Sequence, residues 1–157
     1  MERVYAYLLS AIAMIIVYAI PNSAAVRATD SAWYTCIRPT ITPPKYVFPI
    51  VWTILYIFIG IALAQALMAK PSYERNILLG MHLWNLVLNV LWSFIYFGQH
   101  DVMLALFVLF NMIIATIFIL HYTYLTLPVW VFWLLLPYIG WLYFAALLNF
   151  LSSLKKC

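Results

Sequence analysis

The residues best suited to chemistry in this chain are tryptophans, tyrosines and asparagines, and their spacing points to holding a molecule. Between Trp33 and Tyr56 the sequence reads WYTCIRPTITPPKYVFPIVWTILY, with Trp33, Pro39, Pro43, Pro44 and Trp52 where a plain polar connector needs none of them. Proline fixes φ and aromatic rings offer large flat contact surfaces, so this segment is suited to keeping a shape. Further on, His82, Asn85, Asn89, Trp92 and Tyr96 recur at steps of 3, 4, 3 and 4, which puts them on one helical face. A polar and aromatic stripe in an aliphatic helix faces protein, and two readings of it stay open. It is either interhelical hydrogen bonding, at roughly 0.6 kcal/mol per bond in a membrane, or the polar edge of a ligand cavity. Tyr138, Trp141, Ala145 and Asn149 form a related face, and Phe48, Trp52 and Tyr56 follow one another at i, i+4 steps.

Charge placement narrows the chemistry. Glu2, Asp30, Glu74 and Asp101, together with every Lys and Arg, fall at the ends of apolar runs or between them. Paired carboxylates and Ser/His/Asp sets for acid–base or nucleophilic catalysis are therefore missing. So are the intramembrane charges of ion-coupled carriers. His82 is the one titratable side chain besides tyrosines well inside an apolar run, and its ordinary role is helix packing. Two cysteines and three dispersed histidines make no metal-ligand spacing, so neither a metal nor a required cofactor is expected. Nor is a nucleic-acid partner.

The elements that must position these residues are membrane helices. Of 157 residues, 68% are hydrophobic and 8% charged, with a mean hydropathy of +1.04, against about a quarter charged in soluble domains. Five uncharged runs are expected to span the bilayer, over about 4–26, 46–69, 76–98, 102–125 and 129–152, since about 20 apolar residues cross a bilayer core. They lack the alternation of barrel strands. The expectation is a single all-α integral membrane domain over 1–157: a five-transmembrane-helix bundle with a structured first loop. The first run is too long for a signal-peptide core and is read as a permanent span. Arg3, Lys70 and Arg75 on one side against Arg27, Arg38, Lys45, Lys155 and Lys156 on the other give three charges to five. The positive-inside rule then places the first loop and the C-terminus in the cytoplasm, where Cys36 and Cys157 would be free thiols.

Short links at 70–75, 98–101 and 126–128 should make sequential helices antiparallel neighbours. Asp101 is placed to cap the fourth long helix and Pro128 to open the fifth. Trp130 and Trp133 read as interfacial anchors. The 27–45 loop, about 19 residues, is long enough to be functional or disordered, and its prolines and aromatics favour order. With Trp, Tyr and Asn presented inward by three helices beneath it, the loop reads as the lid of a pocket for a flat, largely apolar molecule. Sterols and tetrapyrroles both satisfy that description. No internal repeat supports an inverted-repeat transporter.

The segments WY at 33–34, RPTITPPKYVFPIVWTILY at 38–56, LNVLWSFIYFG at 88–98 and LPYIGWLYFAALLNF at 136–150 resemble the TspO/MBR family (translocator protein, tryptophan-rich sensory protein) over nearly the whole chain. The resemblance implies a five-helix membrane bundle, commonly a homodimer, that binds porphyrins, sterols and drug-like molecules beneath the first loop. It implies ligand contacts at Trp33, Tyr34, Pro43, Pro44, Trp52, Tyr56, Asn89 and Ala145, to which the inward faces add Trp92, Tyr138, Trp141 and Asn149. Trp52 and Trp141 correspond to the pair implicated in light-dependent porphyrin breakdown, a catalytic role only where that reaction occurs. The implied function is a receptor-like, sensory or regulatory protein for a tetrapyrrole such as protoporphyrin IX, with porphyrin degradation or passive transport of porphyrin or sterol as alternatives. Four positions depart from the family pattern. Arg38 replaces a common lysine, and Ser93-Phe94 replaces a double proline of some animal members, so the third span is expected to be less kinked. Phe150 replaces the tyrosine of their sterol motif, which lowers the expectation of sterol.

Overall fold

The computed structural model of the chain describes residues 2–156, with side chains at all of them except 2 and 20–27. Every regular element among the described residues is helical: α1 (Glu2–Ala28), α2 (Ala32–Ile37), α3 (Val47–Met68), α4 (Tyr73–Ser93), α5 (Val102–Thr126) and α6 (Val129–Ser153), with a π turn (Phe94–Gln99) continuing α4. In hydrocarbon an unpaired backbone N–H or C=O costs several kcal/mol, and a helix pairs both within one segment. α3, α4 with its π turn, α5 and α6 are each long and apolar enough to cross a membrane, and α1 carries a shorter apolar stretch, Arg3–Ala19. Phe107, Phe110, Ile114 and Phe118 of α5 and Leu83, Trp84 and Val87 of α4 are exposed, as suits an integral membrane protein whose solvent is lipid. Trp130 and Trp133 are exposed as well, at the start of α6.

Polar side chains define the helix ends. Ser31 caps α2 by accepting from the Tyr34 N–H at 3.1 Å, Ser72 caps α4 through Arg75 N–H at 3.1 Å, and Asp101 caps α5 through Leu104 N–H at 2.9 Å. Pro128 stands just before α6, at its N-cap. The Arg75 guanidinium donates to the Ala66 and Leu67 carbonyls at 3.1 and 3.0 Å, setting a cation against the negative end of the α3 dipole. At Ser93 the α-type bonding of α4 gives way to the π turn, which closes at His100 with φ of 59°. With the π turn included, the helical run ends at Gln99, so the 98–101 link is shorter than the sequence suggests.

The most extensive contacts join α4 to α5, α5 to α6 and α1 to α3; α1 also meets α4, and α3 meets α6. α3 and α4 touch only slightly by comparison, so the short link between them does not make them close neighbours. The reason lies in how closely α1 approaches α3. Ala62, Ala64 and Ala66 are fully buried, and a Cβ added to Gly60 would meet Met14 Cγ at 3.0 Å. These small residues are enclosed within the chain.

The connection from α1 to α3 contains α2 and two turns, in which Thr42 N–H donates to Pro39 O at 3.1 Å and Val47 N–H to Pro44 O at 3.0 Å. An ion pair between Lys45 and Asp30 ties its two ends together. Cys36 is disulfide-bonded, which corrects the expectation of a free thiol and is at odds with a reducing compartment. Cys157 and the Arg27 side chain lie outside the described residues.

Candidate functional site

The polar stripe of α4 divides between two jobs. Its lower members hold helices together. His82 is buried, with Nδ1 3.0 Å from Leu78 O. Asn85 donates to Thr116 Oγ1 at 3.1 Å and to Met112 O at 3.3 Å on α5, and accepts from the Tyr138 hydroxyl of α6 at 2.6 Å. Asn89 donates to Tyr138 Oη at 2.9 Å and accepts from the Tyr56 hydroxyl of α3 at 3.4 Å. Two asparagines and two tyrosines thus link α3, α4, α5 and α6 near the bundle centre. Every polar group in such a network needs a partner, because an unpaired one in low dielectric is costly.

Above this network the upper members of the stripe border open space. A cavity of about 490 Å³ lies between α1, the 29–46 segment, α3, α4 with its π turn, and α6. That volume is within the range of small-molecule sites, roughly 300–1,000 Å³. α3 contributes Phe48, Trp52 and Tyr56; α4 and the π turn contribute Asn89, Trp92 and Tyr96; α6 contributes Trp141, Ala145 and Asn149. Their rings are mutually braced. Trp52 stacks on Tyr56 at 5.3 Å, Trp92 on Tyr96 at 5.2 Å, and Phe48 meets Trp141 edge-on at 5.8 Å. Trp92 Nε1–H donates to Asn149 Oδ1 at 3.0 Å, and Asn149 Nδ2–H donates to Val102 O at 2.8 Å, locking that wall to the start of α5. The small Ala145 leaves room between the α6 aromatics.

Of the twelve residues expected to contact a ligand, Tyr34, Pro43, Trp52, Tyr56, Asn89, Trp92, Trp141, Ala145 and Asn149 border the cavity. Three do not. Trp33 packs outside it, stacked on His100 with centroids 4.0 Å apart and planes at 18°, and edge-on to Tyr96 at 5.8 Å. Pro44 is exposed, with its carbonyl closing a turn. Tyr138 is buried one layer behind, its ring 6.5 Å from Trp52.

Sequence reasoning missed the share of α1, where Val17 and Tyr18 border the cavity and Tyr18 meets Tyr56 edge-on at 6.0 Å. It also missed Thr42 as a cavity residue and treated Arg38 only as a charge; both face the cavity from the 29–46 segment. The signal for Arg38 was present, as one of two cations inside a proline and aromatic segment. The Arg38 guanidinium donates to the Thr42 and Pro43 carbonyls at 3.3 and 3.4 Å, which fixes the turn above the cavity. Burial raises the Tyr34 hydroxyl above its ordinary pKa, against the opposing pull of Arg38 and Lys45, so it meets the cavity as a neutral group. A second depression, about 730 Å³, lies at the other end of the bundle among Arg3, Gln65, Lys70 and Glu74. It lacks the wall of stacked rings.

Known proteins share much of this sequence. Residues 7–153 match the family model described as the TspO/MBR family. The chain is similar to the "Tryptophan-rich protein TspO" of Archaeoglobus fulgidus, at 35% identity over 123 residues, covering 75% of this chain and 76% of the relative. It is similar to the protein of the same name from Chlorobaculum tepidum, at 35% over 127 residues and 76% and 77% of the two chains. A "Tryptophan-rich sensory protein" of Cereibacter sphaeroides is 29% identical over 134 residues, covering 83% and 80%.

Proposed function

The chain belongs to the TspO/MBR family, and from that premise we propose that its cavity binds a planar, largely apolar ligand, with a tetrapyrrole such as protoporphyrin IX as the best-fitting class. The observation that supports this is the ring-lined cavity itself: Trp52, Trp92 and Trp141 face one space of about 490 Å³, with Asn89 and Asn149 as the polar groups among them. Rings stack on a flat π system and amides orient it. In this reading the protein is a five-span membrane bundle, the 29–46 segment is its lid, and the bound state serves a sensory or regulatory role, as one relative's name suggests. The assembly is a homodimer, read by light scattering in detergent as twice the chain mass. Titrating purified protein with protoporphyrin IX while following tryptophan emission tests the ligand class. Saturable quenching that is much reduced in Trp52→Phe/Trp141→Phe supports it. Absence of saturation, or the same quenching in that variant, overturns it.

A second reading is favoured by one further observation: Trp52 and Trp141 both border the cavity, so an excited porphyrin there would lie within reach of two oxidisable indoles. Light-dependent degradation would appear as a new absorbing product that forms only with protein present. Equal bleaching with and without protein excludes it. Membrane orientation has two opposed signals. The lid side holds five of the eight basic residues, which favours the cytoplasm, whereas a disulfide at Cys36 favours an oxidising compartment. A C-terminal reporter active only outside the cytoplasm decides between them.

A further inference from the structure

The depression at the end of the bundle away from the lid differs in character from the ring-lined cavity. It encloses about 730 Å³ where α1 begins, where α3 and α5 end, and where the 69–72 link turns the chain into α4. Exposed aromatic residues stand in the first or last turns of the helices that meet there: Tyr5, Tyr73, Tyr124 and Trp130. Such a belt marks the boundary between hydrocarbon and lipid headgroups. A recess at that level meets phosphate and glycerol as well as water.

Its charges are uncommitted. Arg3 and Lys70 border it, both exposed, and neither has an ion pair among the described residues. The negative end of α3 already has its cation, because Arg75 donates to the Ala66 and Leu67 carbonyls. Glu74 is the one carboxylate among the lining residues, so the two cations leave a net charge of +1. Two polar side chains reach the recess from apolar helices. Gln65, the only amide in α3, donates to the Tyr7 hydroxyl at 2.8 Å. That makes Tyr7 the acceptor and leaves its own proton, and the second N–H of Gln65, without an acceptor among the described residues. Cations at helix ends ordinarily reach singly into water; here two share a recess with two directed donors. Leu125 gives that recess an apolar edge, and Leu125, Phe118 and Ile114 descend the outside of α5 at helical spacing, all exposed.

We propose that this depression binds the headgroup of an anionic phospholipid of the surrounding bilayer, whatever the ring-lined cavity holds. Arg3 and Lys70 take the phosphodiester, Tyr7 and Gln65 donate to the oxygens beside it, and Glu74 accepts from headgroup hydroxyls. The acyl chains lie along the Leu125, Phe118 and Ile114 face. A single phosphodiester charge with free hydroxyls matches phosphatidylglycerol. Phosphatidylcholine carries no net charge, and its quaternary ammonium has no hydrogen to donate to Glu74.

The test uses the full chain in uncharged detergent, with bound lipids counted by native mass spectrometry during titration with dioctanoyl phosphatidylglycerol, dioctanoyl phosphatidylcholine or glycerol 3-phosphate. One phosphatidylglycerol is expected to bind about tenfold or more tighter than phosphatidylcholine, from two cations near the phosphate, and added salt should lower that ratio. In Arg3→Gln/Lys70→Gln the ratio should fall toward one, and in Tyr7→Phe it should fall in part. Lys155→Gln/Lys156→Gln, at the other end of the bundle, removes as much charge and should leave it unchanged. Equal affinity for the two lipids in the unaltered protein overturns the proposal, whether or not any variant folds. A loss of preference that is the same in both double variants shows general attraction to a basic protein and overturns the site. Glycerol 3-phosphate binding as tightly as phosphatidylglycerol overturns the lipid assignment, since the acyl chains would then contribute nothing.

Discussion

At the scale of single residues, the molecule separates side chains that hold the bundle from side chains that face the cavity, and the two sets meet at Asn89. Asn85 donates to α5 and accepts from Tyr138 of α6, yet it does not border the cavity. Asn85→Leu removes both roles and leaves the Tyr138 proton without that acceptor. It is expected to lower stability by about 1–3 kcal/mol, read as a drop in thermal midpoint, with ligand affinity changed much less. Trp92→Phe keeps a ring in the wall and deletes the 3.0 Å bond to Asn149. Its expected cost is about 1 kcal/mol, and a loss far above that would show that the bond positions more than one helix. The stripe of α4 was legible because polar residues stand out on an aliphatic background. Tyr18 and Val17 were not, because in an apolar lipid-facing helix an inward apolar residue looks like its neighbours. Trp33 was legible as important and misread in position: it stacks on His100 outside the cavity.

At the scale of elements, the close pairing of α1 with α3 governs the shape of the cavity. Gly60 leaves no room for a side chain against Met14, and Val17 and Tyr18, about one turn from Met14 on the same helix, form part of the wall. Gly60→Leu should force α1 outward, at a cost of about 1–3 kcal/mol for overpacking. Both the thermal midpoint and ligand affinity should fall, and adding Met14→Ala should recover much of each. A Gly60→Leu protein with unchanged affinity would mean that α1 is not a rigid wall. The lid makes a different prediction. Trp33→Ala removes a stacked and an edge-on ring contact, each worth about 0.5–1.5 kcal/mol. Ligand dissociation should accelerate about tenfold while helical content stays the same. The π turn at Phe94–Gln99 had no visible warning in the sequence. It depends on tertiary packing of Tyr96 and Phe97 against α2, which no local pattern records.

At the scale of the whole molecule, composition alone was enough to announce a helical membrane protein, since 8% charged residues in 157 leave no soluble alternative. Neighbour relations were not readable in the same way. Link length constrains which helices can be adjacent, but the small side chains of α3 decide which one comes closest. α5 stands apart in this arrangement. It steadies α4 through Met112 and Thr116 and α6 through Val102 without contributing to the cavity wall, while Phe107, Phe110, Ile114 and Phe118 face outward. That separation makes the outer surface of α5 a convenient handle. A single cysteine introduced there would carry a fluorophore or a surface tether for immobilisation, leaving the chamber free to fill and empty under observation.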